Sequence, residues 1–276
     1  HQSQGFFRSG GAGAGRSPLI VKRNDKWGLA DVSGRIIVAP KFEGLYEVGE
    51  GLFRVEAGRK YGLINAAGET VLPLDYEWIR DFKEGLVVVK QNGKLGYADK
   101  FGKLVIPVQY DAAWDFREGL AMVLVGEKRG YIDKQGHMVI EPQFDRDLSS
   151  SFSEGVAAVK VDKKWGYIDR TGNFVIQPQF TEAEAFDDGV AVISVPYRGT
   201  GLINKAGECI IEPKYYELHN YPGSLIMVVE SKDYGRTVAV AYADKRGRML
   251  TPWFEDGWNF AEGRAKVRVN EKYGFI

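Results

Sequence analysis

Apolar positions in this chain come in short runs with a period of two, separated by polar and glycine-rich breaks. The clearest set is VAAVKV, KWGYID and FVIQPQF, within residues 156–180. Runs of this length, rich in Val, Ile and aromatics, predict β-strands rather than helices. The break between the second and third runs has the form Asp/Asn-x-x-Gly. It places turn glycines at Gly34, Gly68, Gly102, Gly136, Gly172, Gly207 and Gly247. An Asp or Asn that bonds its own backbone, followed by a Gly free to take positive φ, predicts a tight β-hairpin.

The same sentence repeats about every 34 residues, marked by Gly28, Gly62, Gly96, Gly130, Gly166, Gly201 and Gly274, with Ala241 in the register between the last two. A period of this size means a modular array. Each first strand follows a junction such as FKEG (Phe82–Gly85), FREG (Phe116–Gly119) or FDDG (Phe186–Gly189). The first junction is VGEG (Val48–Gly51), and the sixth degenerates to YPGS at Tyr221–Ser224. In the first strand, pairs such as Val87/Val89 and Ala191/Ile193 share a face and are expected inside, with Arg54, Val88, Met122, Ala158, Val192, Met227 and Lys266 between them facing outward or partly exposed. Each third strand closes on a Pro followed by an aromatic, as in Pro107/Tyr110 and Pro178/Phe180, and the aromatic is expected in the core. The residue before the repeat glycine varies (Trp27, Tyr61, Leu95, Arg129, Trp165, Thr200, Tyr273), which argues against a tightly packed site. The glycine itself is expected where adjacent units stack.

These features are similar to the WG repeat (WG/KWG β-repeat) family of bacterial proteins. KWG at Lys26–Gly28 and KWGYID at Lys164–Asp169 carry the resemblance, with KYGLIN, KLGYAD, KRGYID and KYGFI as weaker copies. It spans residues 19–276. It departs from the pattern at Thr200, at Ala241 and in an insertion over residues 230–241. The resemblance implies tandem β-meanders and a role in interaction, and it brings no catalytic residues.

The expected fold is therefore all-β: tandem three-stranded meanders over residues 18–276, about seven units and a partial eighth, after a flexible Gly-rich segment, residues 1–17. Such meanders can close into a propeller-like ring or run on as an open array. Short connections favour the ring, while the equivalence of residues 19–29 and 265–275 favours an open end.

Composition narrows the function. Lys and Arg number 37 and so do Asp and Glu, giving zero net charge and no electrostatic footprint for nucleic acid. No apolar run approaches membrane-spanning length, so no membrane insertion is expected. The single cysteine, Cys209, is expected as a buried small residue in the strand CIIEP. It suits a cytoplasmic protein, whereas a start at His1 rather than Met suits export to the cell envelope, which is favoured slightly.

No cofactor, metal or enzymatic activity is expected. His1, His137 and His219 have no partner at ligand spacing, and His137 reads as a surface residue. The junction acids Glu84, Glu118, Glu154, Asp188 and Glu262 read as turn caps. Aromatics outside the repeat signature are the candidate binding residues: Trp78 and Trp114 in loops after third strands, with Tyr46, Tyr221 and Trp258. The alternative for Trp78 and Trp114 is packing against the next unit. The functional expectation is a scaffold for protein partners, with a polysaccharide-binding module as the alternative.

Overall fold

The computed structural model describes residues 17–146, 150–221, 225–231, 238–260 and 262–276. Nearly all of the predicted N-terminal linker, with His1, the last three residues of the sixth junction and the middle of the insertion lie outside the described residues. Every described element is a β-strand, arranged in antiparallel sheets of three or four strands that follow one another in chain order. Residues 19–30 and residues 266–275 belong to separate sheets.

The third repeat shows the plan. Leu86–Gln91 pairs with Lys94–Asp99, which pairs with Leu104–Tyr110. A fourth short strand, Trp78–Ile79, adds to the outer side of the first. Sequence reading placed a loop there. Backbone pairing with Lys90 and Val89 turns that segment into a strand and makes the meander four-stranded. Each hairpin has the expected form. The Gly136 N–H donates to the Asp133 carbonyl at 3.0 Å, and Asp133 Oδ1 accepts from the Gln135 and His137 N–H groups. In the first repeat the same arrangement, led by the Ser33 hydroxyl, pulls the Asp31 carboxyl down to about 2.

The junctions are tight turns of another type. Glu84, Glu118, Glu154, Asp188 and Glu262 all have φ near +50°, and the following glycines also have positive φ. Two successive left-handed residues make a two-residue turn, closed at Lys83 and Leu86 by reciprocal backbone bonds.

Two compact units divide the chain: His1–Gly126 with Gly130–Pro142, and Glu127–Arg129 with Gln143–Ile276. Inside each, apolar clusters sit between consecutive sheets. In the first unit Val87 and Val89 join Leu63, Leu72 and Tyr76 of the preceding repeat, while Val88 joins Ala121, Val123 and Ile132 of the following one. In the second, Ala191 and Ile193 face back to Trp165 and Tyr167, and Val190 and Val192 face on to Ile226 and Val228.

This two-sided burial corrects several expectations. Val88, Met122, Ala158 and Val192 are buried, because the neighbouring sheet covers the face that a solitary meander would leave wet. Arg54 and Met227 are half-buried and Lys266 is exposed. The residue before the repeat glycine is buried as Leu95, Trp165 and Thr200, since it lies across from the aromatic of the third strand. That aromatic is buried as expected in most repeats, although Tyr215 is half-buried. Cys209 is exposed: it is the first residue of its strand, beside the hairpin turn, where no sheet covers it.

The turn glycine keeps its positive φ and also takes the place at the contact between repeats that was expected of the repeat glycine. Leu95 pairs with Tyr110 and Tyr97 with Ile106, so two steps of the second strand oppose four of the third. The surplus forms a bulge containing the Pro, which thus lies inside the edge strand rather than at its end. The bulge presses on the repeat glycine: a Cβ on Gly96 would lie 2.6 Å from the Ile106 carbonyl oxygen. The close approach comes from the glycine's own hairpin. Contact between repeats falls to the turn glycine instead, where a Cβ on Gly136 would meet Ile106 Cγ1 of the preceding repeat at 3.2 Å. Gly136→Val therefore combines positive-φ strain with contact against a core side chain. It is expected to lower stability by roughly 1 kcal/mol or more, and an unchanged melting temperature would refute this.

Candidate functional site

One position, two residues before the aromatic or apolar residue that opens each junction, recurs in every sheet after the first. It is Tyr46, Arg80 and Trp114 in the first unit, and Ser150, Glu184, His219 and Trp258 in the second. Its backbone is fixed in the same way each time. The N–H groups of Arg80, Trp114, Ser150, Glu184 and Trp258 donate to the first-strand carbonyls of Val88, Met122, Ala158, Val192 and Lys266 at 2.8–3.1 Å. Tyr46 and His219 pair with Arg54 and Met227 in the same register.

The carbonyl at this position is held by a buried tyrosine. Tyr97 Oη donates to the Trp114 carbonyl at 2.7 Å, Tyr167 Oη to Glu184 at 2.8 Å and Tyr242 Oη to Trp258 at 2.5 Å. Burial pushes all three phenols above the ordinary tyrosine range, Tyr97 and Tyr167 far above it, so they remain neutral donors. The frame is constant and the side chain it presents is not: aromatic, cationic, hydroxyl, acidic and imidazole groups occupy one backbone geometry.

Three of the five candidates, Tyr46, Trp114 and Trp258, occupy this rim position. Tyr46 and Trp258 are exposed and Trp114 is half-buried. Trp78 lies two residues upstream of it, half-buried against the core, with the Arg80 guanidinium 4.7 Å from its ring centre. Tyr221 opens a junction instead and stacks on His219 at 5.7 Å. Sequence reading passed over Arg80, Glu184 and His219 as rim residues because it searched by aromatic type. Counting two residues back from each junction would have found them.

In the first unit the rim adjoins a groove of about 360 Å³ lined by Arg54, Trp78, Arg80, Asp81, Lys83 and Asp115, among others. Arg54 Nη1 donates to the Ile79 carbonyl at 2.7 Å and reaches Asp81 at 3.5 Å, with its guanidinium 5.3 Å from the Tyr46 ring centre. Arg80 Nη1 reaches Asp115 at 3.4 Å. In the second unit Trp258 packs edge-on against Tyr273, and Lys266 Nζ sits 4.9 and 4.2 Å from the two ring centres. Glu184 is pushed above the ordinary glutamate value, chiefly by partial burial, with His219 opposing and Glu182 adding.

Glu84 and Glu154 do act as turn caps, but for the turn of the following junction. Glu84 accepts from the Gly119 N–H of the next junction and pairs with Lys134 of the next repeat's hairpin at 3.1 Å. Glu154 does the same with Gly189 and Lys205 at 2.9 Å, and Glu50–Lys100 and Asp188–Lys245 repeat the ion pair. The hairpin position reads Lys100, Lys134, Arg170, Lys205 and Lys245, whereas the first two repeats carry Val32 and Ala66.

These clamps have a pH signature. Burial opposes ionisation of Glu84 and Glu154, but the bonds from the Lys and the Gly N–H outweigh it, so both lie below the ordinary 4.5. A depressed folded-state value contributes stability above the ordinary value and loses it as pH falls through the folded one. The double-mutant cycle Glu84→Gln/Lys134→Met is expected to show coupling of about 0.5–1 kcal/mol at pH 7. That coupling should fade as pH falls through and below the ordinary glutamate value, and a pH-independent coupling would contradict the clamp.

No group of three or more potential metal ligands occurs among the described residues. None of their helices is long and apolar enough to cross a membrane.

No protein of curated function matches the sequence. Among solved structures, the chain is similar to that titled BamB from Moraxella catarrhalis, at 14% identity and a TM-score of 0.45, over 93% of this chain and 92% of that one. It is also similar to a structure titled as the eukaryotic initiation factor, at 13% identity and a TM-score of 0.50, over 94% and 78% of the two chains. At 13% identity the likeness to the second is one of fold alone. The sequence itself matches the family described as WG containing repeat seven times, at residues 27–61, 61–94, 96–128, 130–165, 165–195, 201–232 and 242–273. With matches along nearly its whole length, the chain belongs to the WG containing repeat family.

Proposed function

We propose that this protein is a non-catalytic scaffold that binds protein partners through the rim position. The observation that carries this reading is a fixed backbone site, supported by strand pairing and in three repeats by a buried tyrosine, that offers six kinds of side chain over seven repeats. The inward position of the first strand stays apolar throughout, from Val55 and Val89 to Val228 and Val267, while the rim position varies where a partner could read it. Aromatic and arginine side chains, the types enriched at interface hot spots, supply four of the seven rim residues.

Affinity capture from native-host fractions, with the Tyr46→Ala/Arg80→Ala/Trp114→Ala variant as the control bait, tests this. A protein captured by the natural chain and reduced at least about tenfold with the variant, at matched melting temperature, is the expected result. Equal capture by both baits would remove the rim from the interaction. Trp78 is left intact in the variant because its packing against the core would mix folding with binding.

Polysaccharide binding is the second reading, favoured by the exposed Trp258–Tyr273 pair with Lys266 between the rings. It predicts retardation in polysaccharide affinity gels that Trp258→Ala abolishes. Migration unaffected by any polysaccharide would dispose of it.

A further inference from the structure

We infer that the groove of the first unit, between Arg54 and Arg80, is a binding site for carboxylate side chains of an acidic peptide segment. The inference rests on the scaffold reading and names the chemistry of the partner at one part of the rim.

Both guanidiniums are held at one end only. Every hydrogen bond that Arg54 makes among the described residues uses Nη1, and its Nε is buried without a partner. Arg80 likewise bonds through Nη1 alone, to Asp115 at 3.4 Å, a long contact for a charged pair. Each planar group lies against an aromatic ring, Tyr46 for Arg54 and Trp78 for Arg80, which fixes its orientation while leaving other N–H groups uncommitted. The free edge of Arg80 matches the two oxygens of a carboxylate, whereas Arg54, with its Nε buried, adds charge and a single terminal nitrogen. Such pre-alignment reduces the ordering cost of binding.

The charge in the groove selects the anion. Arg54, Arg80 and Lys83 face Asp81 and Asp115, three positive groups against two negative. The small surplus suits singly charged carboxylates. Attraction to that surplus grows in proportion to an anion's charge while its desolvation cost grows as the square, so a doubly charged phosphate or sulfate gains less. Arg54 and Val88 occupy equivalent positions in successive repeats, as do Arg80 and Trp114, so the cationic pair is particular to this place in the array.

The test is selection of random linear peptides displayed on phage against the full chain, repeated on Arg80→Gln and Arg80→Lys. Arg80 is about one-third exposed, so both variants are expected to fold. Enriched peptides should be rich in Asp and Glu, bind Arg80→Gln at least about tenfold more weakly, and lose affinity between about 0.05 and 0.5 M salt. Arg80→Lys, which keeps the charge but not the fork, should also weaken them. Enrichment of peptides without acidic residues, equal binding to Arg80→Gln, or no enrichment at all would overturn the proposal. Peptides that depend on Trp114 but not on Arg80 would overturn it while leaving the scaffold reading intact, and that reading is decided separately by the capture experiment.

Discussion

Gly96→Ala is expected to destabilise the protein by about 2–3 kcal/mol, although it adds a single methyl group to a strand. The cause is the bulge of the third strand. The new Cβ would sit 2.6 Å from the Ile106 carbonyl oxygen and 2.7 Å from the Pro107 carbonyl carbon, both backbone atoms that cannot swing aside. Relief requires opening the bulge, and the bulge sets the register that brings Tyr110 across from Leu95. The equivalent changes at Gly130 and Gly166 should behave alike, since their Cβ atoms would meet the Ile140 and Ile176 carbonyls. Gly274→Ala is the internal control. Nothing lies within 4 Å of its would-be Cβ, because no third strand follows it among the described residues. Denaturant melts of the variants decide the matter. Equal losses at Gly96 and Gly274 would show that the cost is a general one of strand glycines and not the bulge.

Tyr97→Ala is expected to cost about 3–5 kcal/mol and to disturb the rim as well. The ring is fully buried and packs edge-on against Phe116 with centroids 4.9 Å apart. Its hydroxyl holds the Trp114 carbonyl. Removing the ring leaves a cavity between two sheets and an acceptor without its donor. Tyr97→Phe separates the two effects. It keeps the packing and loses the bond, at an expected cost of about 1–2 kcal/mol. If the phenol also positions the rim, Tyr97→Phe should weaken partner capture more than a stability-matched core change such as Val87→Ala. Calorimetry and capture measured on the same three proteins check both statements.

Much of this architecture was legible in the chain because local rules specify it. Asp-x-x-Gly encodes its turn in the side chain of the Asp and the φ of the Gly, and both need only four residues to act. Alternation in the first strand correctly placed Val87 and Val89 inside. The same alternation misplaced Val88, because whether a second sheet covers the other face is decided by a repeat some 34 residues away. The repeat glycine failed for a related reason. Its recurrence in all registers but that of Ala241 is visible, but the atoms that enforce it belong to a bulge, and a bulge is a mismatch in pairing that period-two reading does not register. The acid–lysine clamps span about 50 residues and were hidden by treating each acid within its own turn. Cys209 was judged by residue type when its place at a strand end decided its exposure. As for the candidate site, searching for aromatics found three rim residues and overlooked their charged counterparts. The defining property was a place on the backbone rather than a kind of side chain.

The rim has a further consequence for protein engineering. Strand pairing holds its backbone, with a buried phenol added at Trp114, so the fold does not depend on one kind of side chain there. Tyr46, Arg80 and Trp114 could then be randomised together while the glycines, turns and clamps stay untouched. A library built on this frame would vary recognition and conserve foldability. It would carry its diversity on strand-anchored sites, where antibody-like scaffolds carry theirs on loops.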